Sequence, residues 1–166
     1  MLLLRRVGAF TLDCALLFLV LGTLGGVLKL CLQWPTPSTG PGIWLAIALN
    51  FSVPTWIYLV ASDQSVRGAT VGKHLLGLRV SRVGGGRLGI GRAFLRTAVK
   101  VLPWELTHIS AFALASEPGR IDTTQGIGLA AANGLALAYL LVAAGTRGRR
   151  SVHDLVANTE VRGLSA

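Results

Sequence analysis

VGAFTLDCALLFLVLGTLGGVLKLCL, running from Val7 to Leu32, holds only two charged side chains, Asp13 and Lys29. It is longer than the ~20 apolar residues needed to cross a bilayer core, and it leaves no polar face for water. Three further runs follow. Ile43 to Ser62 is interrupted only by Asn50, Ser52 and Pro54; Phe94 to Ala115 carries Arg96, Lys100, Glu105 and His108; Ile127 to Ala144 is uncharged. The pattern predicts an all-α integral membrane helical bundle of about four transmembrane helices, with an amphipathic cytoplasmic loop. Whether 94–115 crosses fully is open at this level. Composition agrees: 52% of the 166 residues are apolar and 14% charged, against about 25% charged in soluble domains. That excludes a soluble enzyme domain and an unfolded chain, and leaves room for one domain, 1–166.

Pro35 to Gly42 reads as a short uncharged loop, and Pro54 as a kink that frees a carbonyl in the second span. Asp63 to Arg92 is the long polar connection. Within it His74 to Val83 is either a short strand or an interfacial amphipathic segment, and Gly84-Gly85-Gly86 a tight turn. Ser116 to Gly126 is expected to be a second turn, and a basic tail runs from Arg147 to Ala166. Arg5-Arg6 before an apolar stretch resembles an export signal. The stretch is too long, contains Asp13 and lacks a small-x-small site before Gln33-Trp34-Pro35, so a retained anchor is expected. Cys14 and Cys31 lie in one helix, roughly 25 Å apart at 1.5 Å per residue, too far to bridge.

Lys and Arg number 16 against 7 Asp and Glu, a net charge of +9. These residues flank apolar runs, so anionic lipid headgroups rather than nucleic acid are the expected partner. All of them except Lys29 and Arg120 fall on one side of the predicted spans. The positive-inside rule then places both termini and the 63–92 loop in the cytoplasm of a multi-pass cell-membrane protein. Arg far outnumbers Lys, which is confined to Lys29, Lys73 and Lys100; with abundant Gly and Ala this points to a GC-rich, bacterial genome.

Catalytic motifs are lacking. Gly68-Ala-Thr-Val-Gly72-Lys73-His74 has three residues between its glycines where a phosphate loop has four, and no Ser or Thr after the lysine. Gly84-Gly85-Gly86-Arg87-Leu88-Gly89 has no βαβ unit around it. No GxSxG, HExxH or paired-cysteine pattern occurs. The expectation is no enzyme, no cofactor and no metal site.

Several polar residues need an explanation. Asp13 stands about two turns inside the first span, where a carboxylate costs about 2.5–3.5 kcal/mol. Arg6 is on nearly the same helix face but ~10 Å away along the axis. Asp13 either anchors a neighbouring helix by pairing with Arg96 or Lys100, or binds a proton or cation. Glu105 and His108, at i,i+3, share a face as in metal-binding bundles. Those bundles need more inward carboxylates, and only Asp13 is available, so a polar cluster satisfied by Arg96 and Lys100 is preferred. Asn50 with Pro54 reads as an interhelical hydrogen bond rather than a substrate-facing kink. Asp154 would cap a turn or pair with an arginine. A catalytic His153-Asp154 pair has no evident nucleophile, and the stretch from Leu155 to Val161 reads as an interfacial segment or a small strand.

Three segments taken in order resemble the RDD family, named for one arginine and two aspartates. Arg6-Val-Gly-Ala-Phe-Thr-Leu-Asp13 is similar to its opening motif. Gly68-Ala-Thr-Val-Gly72-Lys73-His-Leu-Leu-Gly77-Leu-Arg79-Val80, continuing to Gly91-Arg92-Ala93-Phe94-Leu95-Arg96, resembles its G-x-T-x-G-K-x-L-x-G-x-R-V loop. Arg149-Arg150-Ser-Val-His153-Asp154-Leu-Val-Ala157-Asn-Thr159 is similar to its closing His-Asp-x-x-Ala-x-Thr. The signature segments are thus 5–13, 68–96 and 147–161 of a single domain. The resemblance implies a small multi-pass membrane protein whose signature residues are Arg6, Asp13 and Asp154. Transport, including cation/proton exchange, has been proposed for some members. Asn158 departs from the family pattern, standing where Gly is common, and so does Pro103 to His108. The leading expectation is a proton or small-cation transporter subunit, with Asp13 binding the ion and Arg6 and Asp154 gating it. Four spans scarcely enclose a pathway, so a homo-oligomer or a membrane partner would be required. The alternative is a non-transporting scaffold that holds lipid headgroups or a protein partner through its basic cytoplasmic face.

Overall fold

The computed structural model describes residues 2–33, 35–115 and 121–164. Helix α1 is Leu2–Leu32, and α2 runs Gly40–Gln64 with a π-helical turn at Ala48–Ser52. A short helix α3, Val71–Leu75, precedes strand β1, Leu78–Arg82. Helix α4 is Ile90–His108, continued by a π-turn at Ile109–Ala113. Helix α5 is Thr123–Gly145, followed by a short helix α6, Val152–Val156, and strand β2, Thr159–Gly163. The class is an all-α membrane bundle with one small sheet added.

Three helices, α1, α2 and α5, are long and apolar enough to cross a membrane. The fourth expected span, α4, carries Arg92, Arg96, Lys100 and Glu105 and is not among them. Helix α1 buries only Ala9 and Asp13 along its whole length. In water that many exposed leucines would be untenable; in lipid they are the expected surface. Helix boundaries lie within a few residues of the sequence reading. The second turn is shorter than expected, since Thr123 to Gly126 already belong to α5. Its first part, 116–120, which includes Arg120, lies outside the described residues, as do Trp34 and the last two residues of the tail.

Both prolines inside helices are accommodated by local chemistry. Proline lacks an N–H and its ring crowds the carbonyl four residues back. The wide turn at Ala48–Ser52 immediately precedes Pro54, and the Val53 N–H reaches back to the Ala48 carbonyl. Pro103 leaves the Val99 carbonyl free of an i+4 donor, and the Tyr139 hydroxyl donates to it at 2.7 Å.

The segment His74 to Val83 is neither wholly strand nor interfacial helix: α3 ends at Leu75 and β1 follows. β1 pairs antiparallel with β2, Val80 opposite Val161 and Arg82 opposite Thr159. The stretch from Leu155 to Val161 divides in the same way between α6 and β2. Gly84 to Gly86 form the expected turn, with the Gly85 N–H donating to the Arg82 carbonyl at 2.9 Å.

The chain forms two compact units. Unit 1 comprises residues 1–16, 56–100 and 137–166; unit 2 comprises 17–55 and 101–136. Unit 1 has a small core of Ala9, Leu78, Val80, Leu88, Ala93 and Val161. Unit 2 packs aromatic rings and close backbones. Phe18 lies 5.3 Å from Phe51 and 5.8 Å from Trp104. Gly40 leaves no room for a Cβ beside the Phe112 carbonyl, and Gly128 none beside the Ser110 side chain.

Candidate functional site

Unit 1 gathers the buried charges into two constellations. The first surrounds Asp13, which is 2% exposed. Its Oδ1 accepts from the Tyr58 hydroxyl and the Gly72 N–H, both at 2.8 Å, and its Oδ2 accepts from the Thr70 hydroxyl at 2.6 Å. Thr70 also caps α3 by accepting from the Lys73 N–H. Gly72 is required by proximity: a Cβ there would strike the Ala9 carbonyl and crowd Asp13. The Gly68–His74 stretch, which resembles a phosphate loop in sequence, thus turns its amide and hydroxyl onto an internal carboxylate. The expected pairing of Asp13 with Arg96 or Lys100 is corrected. Neutral donors hold this carboxylate, because α3 packs against α1 and brings the Thr70 hydroxyl and the Gly72 N–H onto it.

The second constellation is a ladder of alternating charge. Lys73 donates to Asp63 Oδ1, and Arg96 donates to Asp63 Oδ2. The Arg96 Nε also donates to Asp154 Oδ1 at 2.9 Å, and Arg6 donates to Asp154 Oδ2. Five elements supply it: α3, the end of α2, α4, α6 and, closing the series at Arg6, α1. Asp154 performs both roles foreseen for it. It accepts the Ser151 N–H at 3.0 Å at the start of α6 and pairs with two arginines; the Thr159 hydroxyl adds a fourth donor at 3.0 Å. Burial opposes its ionisation, but Arg96 and the other donors outweigh it and hold the carboxyl well below the usual range. Lys73 is pushed below its ordinary value by burial, which Asp63 opposes.

His153, beside it, places Nε2 2.8 Å from an Arg6 nitrogen. Because arginine only donates, Nε2 accepts and the imidazole is neutral with its proton on Nδ1. Burial pushes its pKa well below the ordinary value.

Of the residues singled out in the sequence, Arg6, Arg96, His153 and Asp154 come together, and Asp13 stands in its own cradle. Lys100 lies over the Phe10 ring, 5.2 Å from its centroid. Glu105 and His108 belong to unit 2. There Glu105 accepts from the Ser52 hydroxyl at 3.1 Å, while His108 Nδ1 lies 3.0 Å from the Trp104 carbonyl. The expected cluster with Arg96 is corrected to this extent, since Arg96 is engaged by two aspartates. Asn50 donates to Ala46 on its own helix at 2.8 Å rather than across helices. Among the described residues no group of three His, Cys, Asp or Glu side chains converges as metal ligands would. Sequence reasoning missed Asp63 and Tyr58, and noted Thr70 and Lys73 only as members of the Gly68–Val80 motif, without a partner. The available signal was a carboxylate at the end of an apolar run, ten residues before a lysine.

A multi-pass membrane protein with two aspartates and two arginines locked in a buried ladder is the class these features define. The chain belongs to the RDD family, whose model matches residues 2–158. No curated protein and no solved structure matches it.

Proposed function

We propose that this chain is a non-transporting scaffold of the cell membrane, with both termini cytoplasmic and no enzymatic activity. Its signature residues form a fixed joint, and its basic face engages anionic lipid headgroups. One observation carries the reading: Asp13, the carboxylate placed to bind an ion, is buried and accepts three hydrogen bonds from its own chain. An ion-exchanging carboxylate needs free lone pairs or readily displaced donors, and these donors belong to packed helices and a backbone amide. The basic face is supported by the arginines exposed on unit 1, among them Arg5, Arg67, Arg82, Arg87, Arg147, Arg149 and Arg162.

The test is pH-gradient dissipation in proteoliposomes with sodium, potassium or lithium, comparing the native chain with Asp13→Asn. The expected result is no flux above empty liposomes and a variant destabilised by about 1–3 kcal/mol, the worth of hydrogen bonds to a charged group. Cation-dependent flux that disappears in Asp13→Asn would overturn the reading in favour of a transporter subunit.

A further inference from the structure

We infer that α5 is the contact through which two copies of this chain pair in the membrane, with Asn133 of each copy hydrogen-bonded to Asn133 of the other. Gly126, Ala130, Asn133, Leu137, Leu140 and Ala144 recur along α5 at alternating steps of four and three residues. That spacing is a heptad seam, the pattern by which two helices pack side by side with a left-handed twist. The seam points away from its own chain. Leu137 is 57% and Leu140 54% exposed, Ala130, Asn133 and Ala144 are exposed as well, and a Cβ on Gly126 would meet nothing. Internal packing falls to the opposite face of the helix, through Gln125, Ala132, Tyr139 and Ala143.

Asn133 selects a second copy as the occupant. It lies roughly 15 Å along α5 from Thr123, at 1.5 Å per residue, and so near the middle of the bilayer. Its Nδ2 donates to the Leu129 carbonyl on the same helix at 2.8 Å; among the described residues its Oδ1 accepts from no donor. Lipid tails offer neither donor nor acceptor, and a polar group left unmet in hydrocarbon costs free energy. Asn50, in α2, differs, since its carboxamide oxygen lies against Gly25 of α1. All copies insert in the same direction, so a two-fold axis along the membrane normal sets two α5 helices parallel and brings Asn133 to the depth of Asn133. A carboxamide carries both a donor and an acceptor, so each side chain meets the oxygen left open on the other. A single asparagine in an otherwise apolar seam also fixes the register of the pair. Gly126, Ala130 and Ala144 let the two backbones approach closely. Pairing of this kind does not depend on the scaffold reading, since it would serve a transporter equally.

The experiment uses the full chain, with Cys14→Ala and Cys31→Ala, in phosphatidylcholine liposomes at falling protein-to-lipid ratio. Energy transfer between copies labelled at Gly85→Cys reads association, and disulfide cross-linking of cysteines introduced elsewhere reads the face. Asn133→Leu should weaken pairing about tenfold, while Asn133→Gln, which keeps a carboxamide, should retain most of it. Ala130→Cys and Leu137→Cys should cross-link into dimers without any change at Asn133, so this arm stands if Asn133→Leu does not fold. Leu19→Cys, on the lipid-facing side of α1 and 69% exposed in the native residue, should stay monomeric. Absence of transfer beyond random proximity would leave the seam to lipid or to a different membrane protein and would overturn the inference. Undiminished pairing in a folded Asn133→Leu, or equal cross-linking at Leu19 and Ala130, would overturn it as well.

Discussion

His153 is the residue at which the charge ladder meets solution pH. Its Nε2 faces Arg6, and Arg96, Asp154 and the Tyr139 ring also surround it; Nδ1 is buried with no hydrogen-bond partner among the described residues. Protonation would set an imidazolium against Arg6 and Arg96. Because burial lowers its pKa in the folded chain below the ordinary 6.5, the unfolded chain takes up the proton first. Stability is therefore present above about pH 6.5 and is lost as pH falls below it, with a slope of up to about 1.4 kcal/mol per pH unit. Asp154 acts only in a lower window, beginning under its ordinary 3.8. His153→Gln should flatten the melting temperature between about pH 6.5 and 5 while leaving the acid loss below about pH 4. Thermal unfolding in detergent across that range checks it, and an unchanged slope would remove His153 from the account. At the same scale, the backbone at Asn158 takes a φ of +52°, a conformation that suits glycine best. Asparagine is one of the few other residues that tolerate that conformation.

At the scale of elements, the loop that carries α3 depends on how closely it approaches α1. Gly72→Ala should destabilise by about 1–3 kcal/mol, since its Cβ would meet the Ala9 carbonyl and the Asp13 carboxylate. Gly91→Ala, on α4 with open space around it, should be neutral or slightly stabilising. Unfolding midpoints of the two variants compared with the native chain decide this, and equal effects would remove the close-approach argument. Helix existence was legible because apolar runs are long and lipid is the solvent. The exact course of α2 and α4 was less so. Pro54 and Pro103 announce a disturbance, but whether the chain answers with a π-turn or with a donor such as Tyr139 depends on neighbours remote in sequence. The segments around β1 and β2 were ambiguous for a related reason. Five-residue strands become strands by pairing with each other, across about eighty residues of chain.

At the scale of the molecule, charge is divided as sharply as apolarity is spread. Every Lys and Arg except Lys29 and Arg120 belongs to unit 1. If that asymmetry orients the chain, a cysteine at Gly85 should be shielded from an impermeant thiol reagent in intact cells, and one at Ser38 should react. Cys14 and Cys31 are first replaced for this purpose. The reverse pattern would invert the topology, and the cytoplasmic placement of both termini with it.

Membrane residence, the number and rough limits of the long helices and the family all follow from local sequence. Each depends on contiguous apolarity or on motif spacing, which need no knowledge of what folds against what. Arg6, Asp13 and Asp154 were visible as charges out of place. Their partners were not, since a carboxylate in a helix is equally compatible with a cation, a hydroxyl or an amide. Tertiary packing alone assigned Asp13 to the loop around Gly72 and drew Asp63, unremarked at the start of a polar connection, and Lys73, noted only within a motif, into the ladder with Arg96 and Asp154. Burial makes pairing obligatory, but only the arrangement of the helices determines which donor lies within reach.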